Sequence, residues 1–185
     1  MSRDRWGPEG PPEEAYSRVT NPERFRPLHA AATELLDRLE RHDADDEWSG
    51  ATLARPPIRL VPHDSQAAPI VVAFTDFPGL YLKFGSWRTE PFPDCGCDAC
   101  DEMPDGLIEE MTGRVEVVVS GGFRESVRVP AQLGDGWYQS EFWDDYGLLS
   151  RGESRVSRSR ALKMTGGERH VSLDWKPWPR RSATA

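Results

Sequence analysis

Residues 69–87 read PIVVAFTDFPGLYLKFGSW, and the fold class follows from this segment more than from any other. Its first part, residues 69–75, is a continuous apolar run rich in β-branched residues, which indicates a buried central strand. Phe77-Pro78-Gly79 is a turn signal because Pro and Gly suit the corner positions of a tight turn. Residues 80–87 then predict the return strand of a hairpin, and the chain therefore contains an antiparallel sheet.

One long N-terminal helix is predicted upstream of this hairpin. Asn21 caps its start, Pro22 takes the first turn, and Pro27 interrupts it early enough for that turn to be a separate short helix. Beyond Pro27, apolar residues recur at helical spacing on one face: Leu28, Ala31, Ala32, Leu35, Leu36 and Leu39. We expect this stripe to cover the sheet, the acidic segment 42–50 to end the helix, and a short strand to follow over residues 58–62.

The segments downstream of the hairpin add one helix and more strands. Pro91 and Pro93 break the sheet, and after the cysteine loop a second, short helix runs from Pro104 to Met111. Strands are then predicted over these segments: 115–120 paired with 123–129, a single strand at 137–143, and 154–164 paired with 170–175. Alternating βα units are absent, so we predict an α+β fold with a mostly antiparallel sheet.

The composition indicates an acidic, soluble protein of one domain. The chain has 185 residues, enough for a core of its own, and a net charge of −8 from 23 basic and 31 acidic residues. We expect residues 1–15 to be a flexible N-terminal segment, residues 16–176 a single α+β domain, and residues 177–185 a flexible tail. Both ends are polar and carry several prolines, which disfavours a packed structure there.

The charge and the hydropathy limit the partners and the location. Negative net charge argues against nucleic-acid binding, which depends on clustered positive charge, and favours a basic protein partner. No window approaches the roughly 18 uninterrupted apolar residues of a membrane helix, so no membrane partner is expected. The polar N-terminus does not resemble a signal peptide, and we predict a cytoplasmic protein.

All three cysteines lie in residues 94–102, which read DCGCDACDE. Thiolate is a ligand that zinc prefers, and the Cys-x-Cys-x-x-Cys spacing lets one loop wrap one ion, so we predict a zinc site at Cys95, Cys97 and Cys100. The fourth ligand is open between several groups: Asp94, Asp98, Asp101, His63, His170 or water. A site closed by protein would be structural, whereas an open position would suit catalysis.

The acidic surroundings of the loop argue against a reactive cysteine. Between Arg88 and Arg114 there is no Lys or Arg, whereas acidic residues are frequent. Negative charge should raise the pKa of the thiols and make free thiolates scarce, and a divalent cation would relieve the repulsion. The alternative is three reduced cysteines with no ligand. An iron–sulfur cluster is disfavoured because it normally takes four cysteines.

Two other clusters have both functional and structural interpretations. The run Glu141-Phe142-Trp143-Asp144-Asp145-Tyr146 suits a ligand groove or an acid–base pair, but is more typical of a strand end with inward aromatics and solvated acids. Four arginines follow among serines: Arg151, Arg155, Arg158 and Arg160. They suit phosphate binding, but we expect them to lie on an exposed strand and to pair with nearby acidic residues.

Two blocks of the chain resemble a known family. The loop region PFPDCGCDACDE, residues 91–102, and the block YSRVTNPERF, residues 16–25, are similar to an uncharacterised family of actinobacterial proteins of unknown function. The resemblance covers residues 16 to about 175 and implies no activity and no catalytic residue. It does imply a bacterial, cytoplasmic setting.

Three functions are compatible with these features. The first is a non-enzymatic binding or regulatory domain whose cysteine loop is organised by zinc, and we favour it because no common catalytic motif is present. The second is a zinc-dependent hydrolase, which requires an open metal position and a cleft beside the loop lined by His63 or by Glu141 and Asp144. The third is a metal-free acidic protein that masks a basic partner.

Overall fold

The structure is a computed structural model, and it describes residues 5–39, 42–43 and 51–179. Parts of three predictions lie outside these residues: residues 1–4 of the N-terminal segment, residues 44–50 of the acidic segment, and residues 180–185 of the tail. The described residues fall into two compact units, the first within 1–59, 71–82 and 90–112, the second within 60–70, 83–89 and 113–185. A single domain with flexible ends stays a prediction.

Five strands in the described chain form the first sheet: β1 (His42–Asp43), β2 (Ile58–Leu60), β3 (Ile70–Phe74), β4 (Leu80–Phe84) and β5 (Arg88–Phe92). They are neighbours in chain order, β1-β2-β3-β4-β5. The connections from β2 to β5 are shorter than the dozen or so residues of a parallel crossover, so these strands are antiparallel. All five residues of β3 are buried, which confirms the predicted central strand and its hairpin with β4.

Four further strands form a second sheet: β6 (Phe123–Arg128), β7 (Gly136–Asp144), β8 (Gly147–Val156) and β9 (His170–Asp174). Their order is β8-β7-β6-β9, and every neighbouring pair is antiparallel. The α+β fold with antiparallel sheets is therefore confirmed. The predicted pairing of residues 154–164 with residues 170–175 is wrong, because β9 pairs with β6 instead.

The expectation that Pro91 breaks the sheet is also wrong, since Pro91 lies inside β5. Proline lacks an amide hydrogen and is tolerated in a strand where no neighbour needs that donor. β5 stands at the end of the strand order, so one of its two edges carries no strand among the described residues. The sequence pattern did not show that this strand would be terminal.

The prediction of one long N-terminal helix is wrong. Helix α1 spans Pro27–Arg38, only twelve residues, and Leu39 is already extended. A separate 3-10 turn over Pro22–Phe25 precedes it, as the position of Pro27 indicated. The apolar stripe is real, because Leu28, Ala32 and Leu36 are buried.

The longest helix in the described chain is instead α2, sixteen residues over Pro104–Val119. A short helix ending at Met111 and a strand over 115–120 are therefore both wrong. Buried residues recur in α2 at spacings of four, four and three: Leu107, Met111, Val115 and Val118. This stripe outweighs the β preference of valine and the helix-weakening effect of Gly113.

The arginine-rich segment 154–164 is also not one strand. Strand β8 ends at Val156, and helix α3 begins directly after it, over Arg158–Met164. The side chain of Ser157 accepts a hydrogen bond from the amide of Arg160 and so caps α3. No helix among the described residues is both long enough and apolar enough to cross a bilayer.

Candidate metal centre

The sulfur atoms of the three cysteines converge. The Sγ atoms of Cys95, Cys97 and Cys100 all lie within 4.8 Å of one another, and no His, Asp or Glu of the described residues joins the group. Zinc–sulfur bonds of about 2.3 Å in a tetrahedron place sulfurs about 3.8 Å apart. The three side chains therefore fit one ion after a small contraction. Cys97 is buried, whereas Cys95 and Cys100 are exposed.

Glu102 holds the start of the loop. Its carboxylate accepts hydrogen bonds from three successive backbone amides, those of Asp94 at 3.0 Å, Cys95 at 3.1 Å and Gly96 at 2.8 Å. Gly96 has a φ of +75°, and a Cβ there would lie 3.0 Å from Cζ of Phe77. The loop conformation therefore depends on a carboxylate at 102 and on glycine at 96.

The thiols differ in acidity. The Cys95 side chain, followed by a 3.4 Å hydrogen bond from the Cys100 amide, lowers the pKa of Cys97. The pKa of Cys100 is raised to about 12, with the Cys97 side chain as the largest cause. The expectation that the acids raise the pKa of every thiol is therefore wrong for Cys97. Neighbouring sulfurs and amides, rather than the carboxylates, are the main causes.

Asp98 is fully buried and contacts Arg18 and Thr20. Its Oδ1 accepts hydrogen bonds from the amide and the hydroxyl of Thr20, both at 3.0 Å, and its Oδ2 accepts one from Nε of Arg18 at 3.0 Å. The pKa of Asp98 is lowered to about 2, chiefly by the Thr20 amide. Both oxygens are thus engaged, and Asp98 acts as an anchor in the middle of the cysteine loop.

Backbone contacts reinforce this anchor. The amide of Asp98 donates to the carbonyl of Arg18 at 2.8 Å, and the amide of Ala99 donates to that of Ala15 at 3.1 Å. Nη2 of Arg24 donates to the carbonyl of Gly96 at 3.2 Å. Residue spacing gave no sign of these contacts. The only signal was that residues 16–25 and 91–102 carry the family resemblance together.

The other predicted fourth ligands have different surroundings. Asp101 forms an ion pair with Arg5 at 3.2 Å, and Asp94 is exposed next to Cys95. His63 follows β2 and His170 begins β9, and both are exposed residues of the second unit. The identity of the fourth ligand stays a prediction.

A cavity of about 440 Å³ lies beside the cysteine loop, within the first unit. Its described lining residues are Ala51, Thr52, Thr75, Asp76, Phe77, Gly79, Leu80, Tyr81, Pro91, Phe92, Pro93, Asp94 and Cys95. The hydrolase alternative expected a cleft beside the loop, and this cavity has that position. The expected lining differs, since neither His63, Glu141 nor Asp144 is among these described residues.

The acidic residues Glu141 and Asp144 at the end of β7 make hydrogen bonds within the sheet and its turn. Glu141 is buried, and its carboxylate accepts hydrogen bonds from Nε1 of Trp143 at 2.9 Å and from Nε of Arg151 at 2.8 Å. Oδ1 of Asp144 accepts hydrogen bonds from the amides of Tyr146 and Gly147 in the turn. Glu141 was expected to be solvated, but it is buried. Arg151 forms an ion pair with an acidic residue, as predicted.

Two of the other arginines also have structural partners. Nη1 of Arg158 donates to the carbonyl of Pro130 at 3.0 Å and to that of Gln132 at 2.9 Å. The guanidinium of Arg155 lies 5.7 Å from the ring centre of Trp137. These contacts favour the structural interpretation of the arginine cluster over an anion site.

A buried carboxylate that the sequence did not single out lies in the second unit. Glu125 is 2% exposed and accepts four hydrogen bonds. The donors are the amides of Ser86 at 2.7 Å and Trp87 at 3.1 Å, Nε1 of Trp175 at 3.1 Å and the hydroxyl of Tyr138 at 3.4 Å. Burial raises the pKa of Glu125 against the effect of these bonds.

Comparison with known proteins yields a family without a function. A family model described as "Family of unknown function (DUF6226)" matches residues 3–182, and the chain belongs to this family. The match is longer than the resemblance expected over residues 16–175. No curated protein and no solved structure matches the chain.

Proposed function

We propose that this member of a family of unknown function is a non-enzymatic binding or regulatory domain whose cysteine loop is organised by zinc. The observation that carries the proposal is the convergence of the sulfurs of Cys95, Cys97 and Cys100 within 4.8 Å. Three soft thiolates favour zinc over magnesium, calcium or manganese, which prefer oxygen ligands. Zinc would hold the ends of the loop together and would remove the repulsion between neighbouring thiolates.

The surroundings of the sulfurs support a structural role for the ion. The amide of Cys100 already points at the Cys97 sulfur, and hydrogen bonds of this kind stabilise a metal-bound thiolate. Thr20 and Arg18 engage Asp98, and Arg5 engages Asp101. We therefore propose that exposed Asp94 or water completes the tetrahedron.

The decisive experiment is metal analysis of reduced protein purified without a metal-affinity resin. We expect about one zinc per chain, and thiolate-to-cobalt charge-transfer absorption after cobalt substitution. Cys97→Ser should lose both signals, whereas Asp105→Asn, an exposed acid in the first turn of α2, should keep them. A metal content near zero in the reduced wild-type protein would refute the proposal.

The cavity keeps the zinc-dependent hydrolase as a second proposal. Cys95 lies on the cavity wall beside Asp94, so a ligand in the cavity would be next to one zinc-binding residue. Under this alternative, zinc would polarise a carbonyl or activate a water molecule. The test is hydrolysis of an activated ester such as p-nitrophenyl acetate by zinc-loaded protein. A rate equal to that of Cys97→Ser removes the alternative.

Two broader expectations remain proposals. The net charge of −8 supports a basic protein partner, and salt-sensitive capture of a cationic protein would be its signature. The family resemblance supports a bacterial, cytoplasmic setting. Neither expectation is needed for the zinc site.

A further inference from the structure

The cavity beside the cysteine loop has the size of a ligand site. Its volume is about 440 Å³, within the range of about 300–1,000 Å³ that is typical of small-molecule sites. Two segments of the first unit supply most of its walls, the turn between β3 and β4 with the start of β4, and residues 91–95. A molecule of the size of one aromatic ring with a polar substituent would fit.

The walls combine polar and apolar surface in about equal parts, and several of the apolar residues are aromatic. Three aromatic residues, Phe77, Tyr81 and Phe92, line the cavity together with Pro91 and Pro93. Phe77 is 39% exposed, so its ring keeps a large surface for a ligand. Aromatic faces attract organic cations through the negative charge of the ring face, in addition to the apolar contact they offer.

The charged residues of the cavity have one sign. Asp76 and Asp94 line it, and its described lining contains no Lys, Arg or His. No ion pair joins Asp76 or Asp94 to another residue of the described ranges. Both residues are exposed, and two carboxylates at one cavity favour a cation and repel an anion.

The cavity walls are held in place before any ligand binds. A Cβ on Gly79 would lie 2.6 Å from the carbonyl oxygen of Phe92, which shows how closely the turn approaches β5. The hydroxyl of Thr75 donates to the carbonyl of Gly79 at 2.9 Å, and Nε2 of His29 lies 2.7 Å from the same oxygen. A preformed site of this kind avoids part of the ordering cost of binding.

We propose that this cavity binds a small organic cation, an ammonium or guanidinium group attached to an apolar body. The aromatic walls take the apolar body, and Asp76 and Asp94 take the charge. Asp94 is free for this ligand in zinc-free protein, and also in zinc-loaded protein when water rather than Asp94 completes the zinc site.

The probe is benzamidine, compared with benzamide, which has the same shape without the charge, and benzoate, which carries the opposite charge. Binding is measured by amide NMR shifts and calorimetry on zinc-free and on zinc-loaded protein. We expect saturable benzamidine binding with shifts over residues 75–81 and 91–95, and at least about tenfold weaker binding of benzamide. Benzoate should not bind.

The variants test the role of the carboxylates. Asp76→Asn and Asp94→Asn should each weaken benzamidine binding by about tenfold, and Asp105→Asn should leave it unchanged. Melting curves of all three variants show whether they are folded. The proposal would be overturned by equal binding of benzamide, by unchanged benzamidine binding in a folded variant that combines Asp76→Asn with Asp94→Asn, or by the absence of saturable benzamidine binding. Saturable benzamidine binding by a reduced protein that takes up no zinc would support this site and refute the zinc site, so the two failures are distinguishable.

Discussion

Thr20 donates two hydrogen bonds to one oxygen of Asp98, from its amide and from its hydroxyl, each at 3.0 Å. Arg18 binds the other oxygen, and Asp98 is fully buried between these partners. The residue at the centre of the cysteine loop therefore ties that loop to a segment almost 80 residues earlier in the chain. The geometry of the cysteine loop and the docking of residues 18–20 against it should consequently change together.

We expect Asp98→Asn to lower zinc affinity by about tenfold or more, the effect usual for residues that orient metal ligands. Asparagine offers one carbonyl oxygen, so it cannot accept from both Thr20 and Arg18. Competition with a chromophoric chelator measures the zinc affinity. The rate of trypsin cleavage after Arg18 measures how readily residues 18–20 detach from the cysteine loop. Asp105→Asn is the matched control. Wild-type affinity with wild-type proteolysis in Asp98→Asn would show that the anchor is irrelevant to the site.

We expect Glu102→Gln to loosen the start of the loop. The Glu102 carboxylate accepts from three backbone amides, and glutamine places an NH₂ group against at least one of them. Loss of charge-assisted hydrogen bonds should increase local opening by about tenfold. The measurement is the rate at which Ellman's reagent modifies Cys97 in zinc-free protein. Glu109→Gln, exposed on α2, should react like the wild type, and equal rates for both variants would contradict the role of Glu102.

The parts of the fold that the sequence predicted well are those set by neighbouring residues. The hairpin of β3 and β4 depends on a buried run and a Pro-Gly turn, and both lie within residues 69–87. The prediction of a strand over residues 115–120, which belong to α2, was wrong because Val115 and Val118 suit either a strand or a helix when only the local pattern is considered. Burial of Leu107 and Met111 on the same helical face decides the matter, and that burial is a tertiary property.

The candidate site divides in the same way. Short spacing alone predicted that the sulfurs of Cys95, Cys97 and Cys100 are able to meet. The anchor between Asp98 and Thr20 spans 78 residues, and one sequence has no pattern that links the two. The thiol pKa values were misjudged for a related reason, since they depend on the direction of individual amides and sulfurs rather than on the count of nearby acids.

We expect Gly96→Ala to destabilise the protein more than Gly166→Ala does. Both glycines have positive φ, +75° and +61°, a backbone conformation that costs alanine about 1 kcal/mol. Only the new methyl group at 96 meets a neighbour, Cζ of Phe77 at 3.0 Å, whereas nothing lies within 4 Å at position 166. Urea denaturation measures the difference. Equal losses would mean that Phe77 moves aside without penalty.

We expect Glu125→Ala to lower the free energy of unfolding by about 3 kcal/mol or more, because it leaves buried donors without an acceptor. The four donors come from Ser86, Trp87, Trp175 and Tyr138. Glu153→Ala on the exposed face of β8 is the control and should change stability little. A small loss in Glu125→Ala would mean that water replaces the carboxylate.

Glu125 should also give stability a definite dependence on pH. Burial raises its pKa in the folded protein, so the folded state holds this proton at pH values where the unfolded chain has already released it. Its contribution is therefore most favourable below the unfolded value of about 4.3 and is lost as the pH rises through the raised folded value. Glu125→Gln cannot titrate, so the difference in unfolding free energy between wild type and variant should shift against the wild type across that window. Urea denaturation at a series of pH values measures this difference, with Glu153→Gln as the control. A difference that moves in favour of the wild type with rising pH would mean that the four hydrogen bonds outweigh burial and that the folded pKa is lowered.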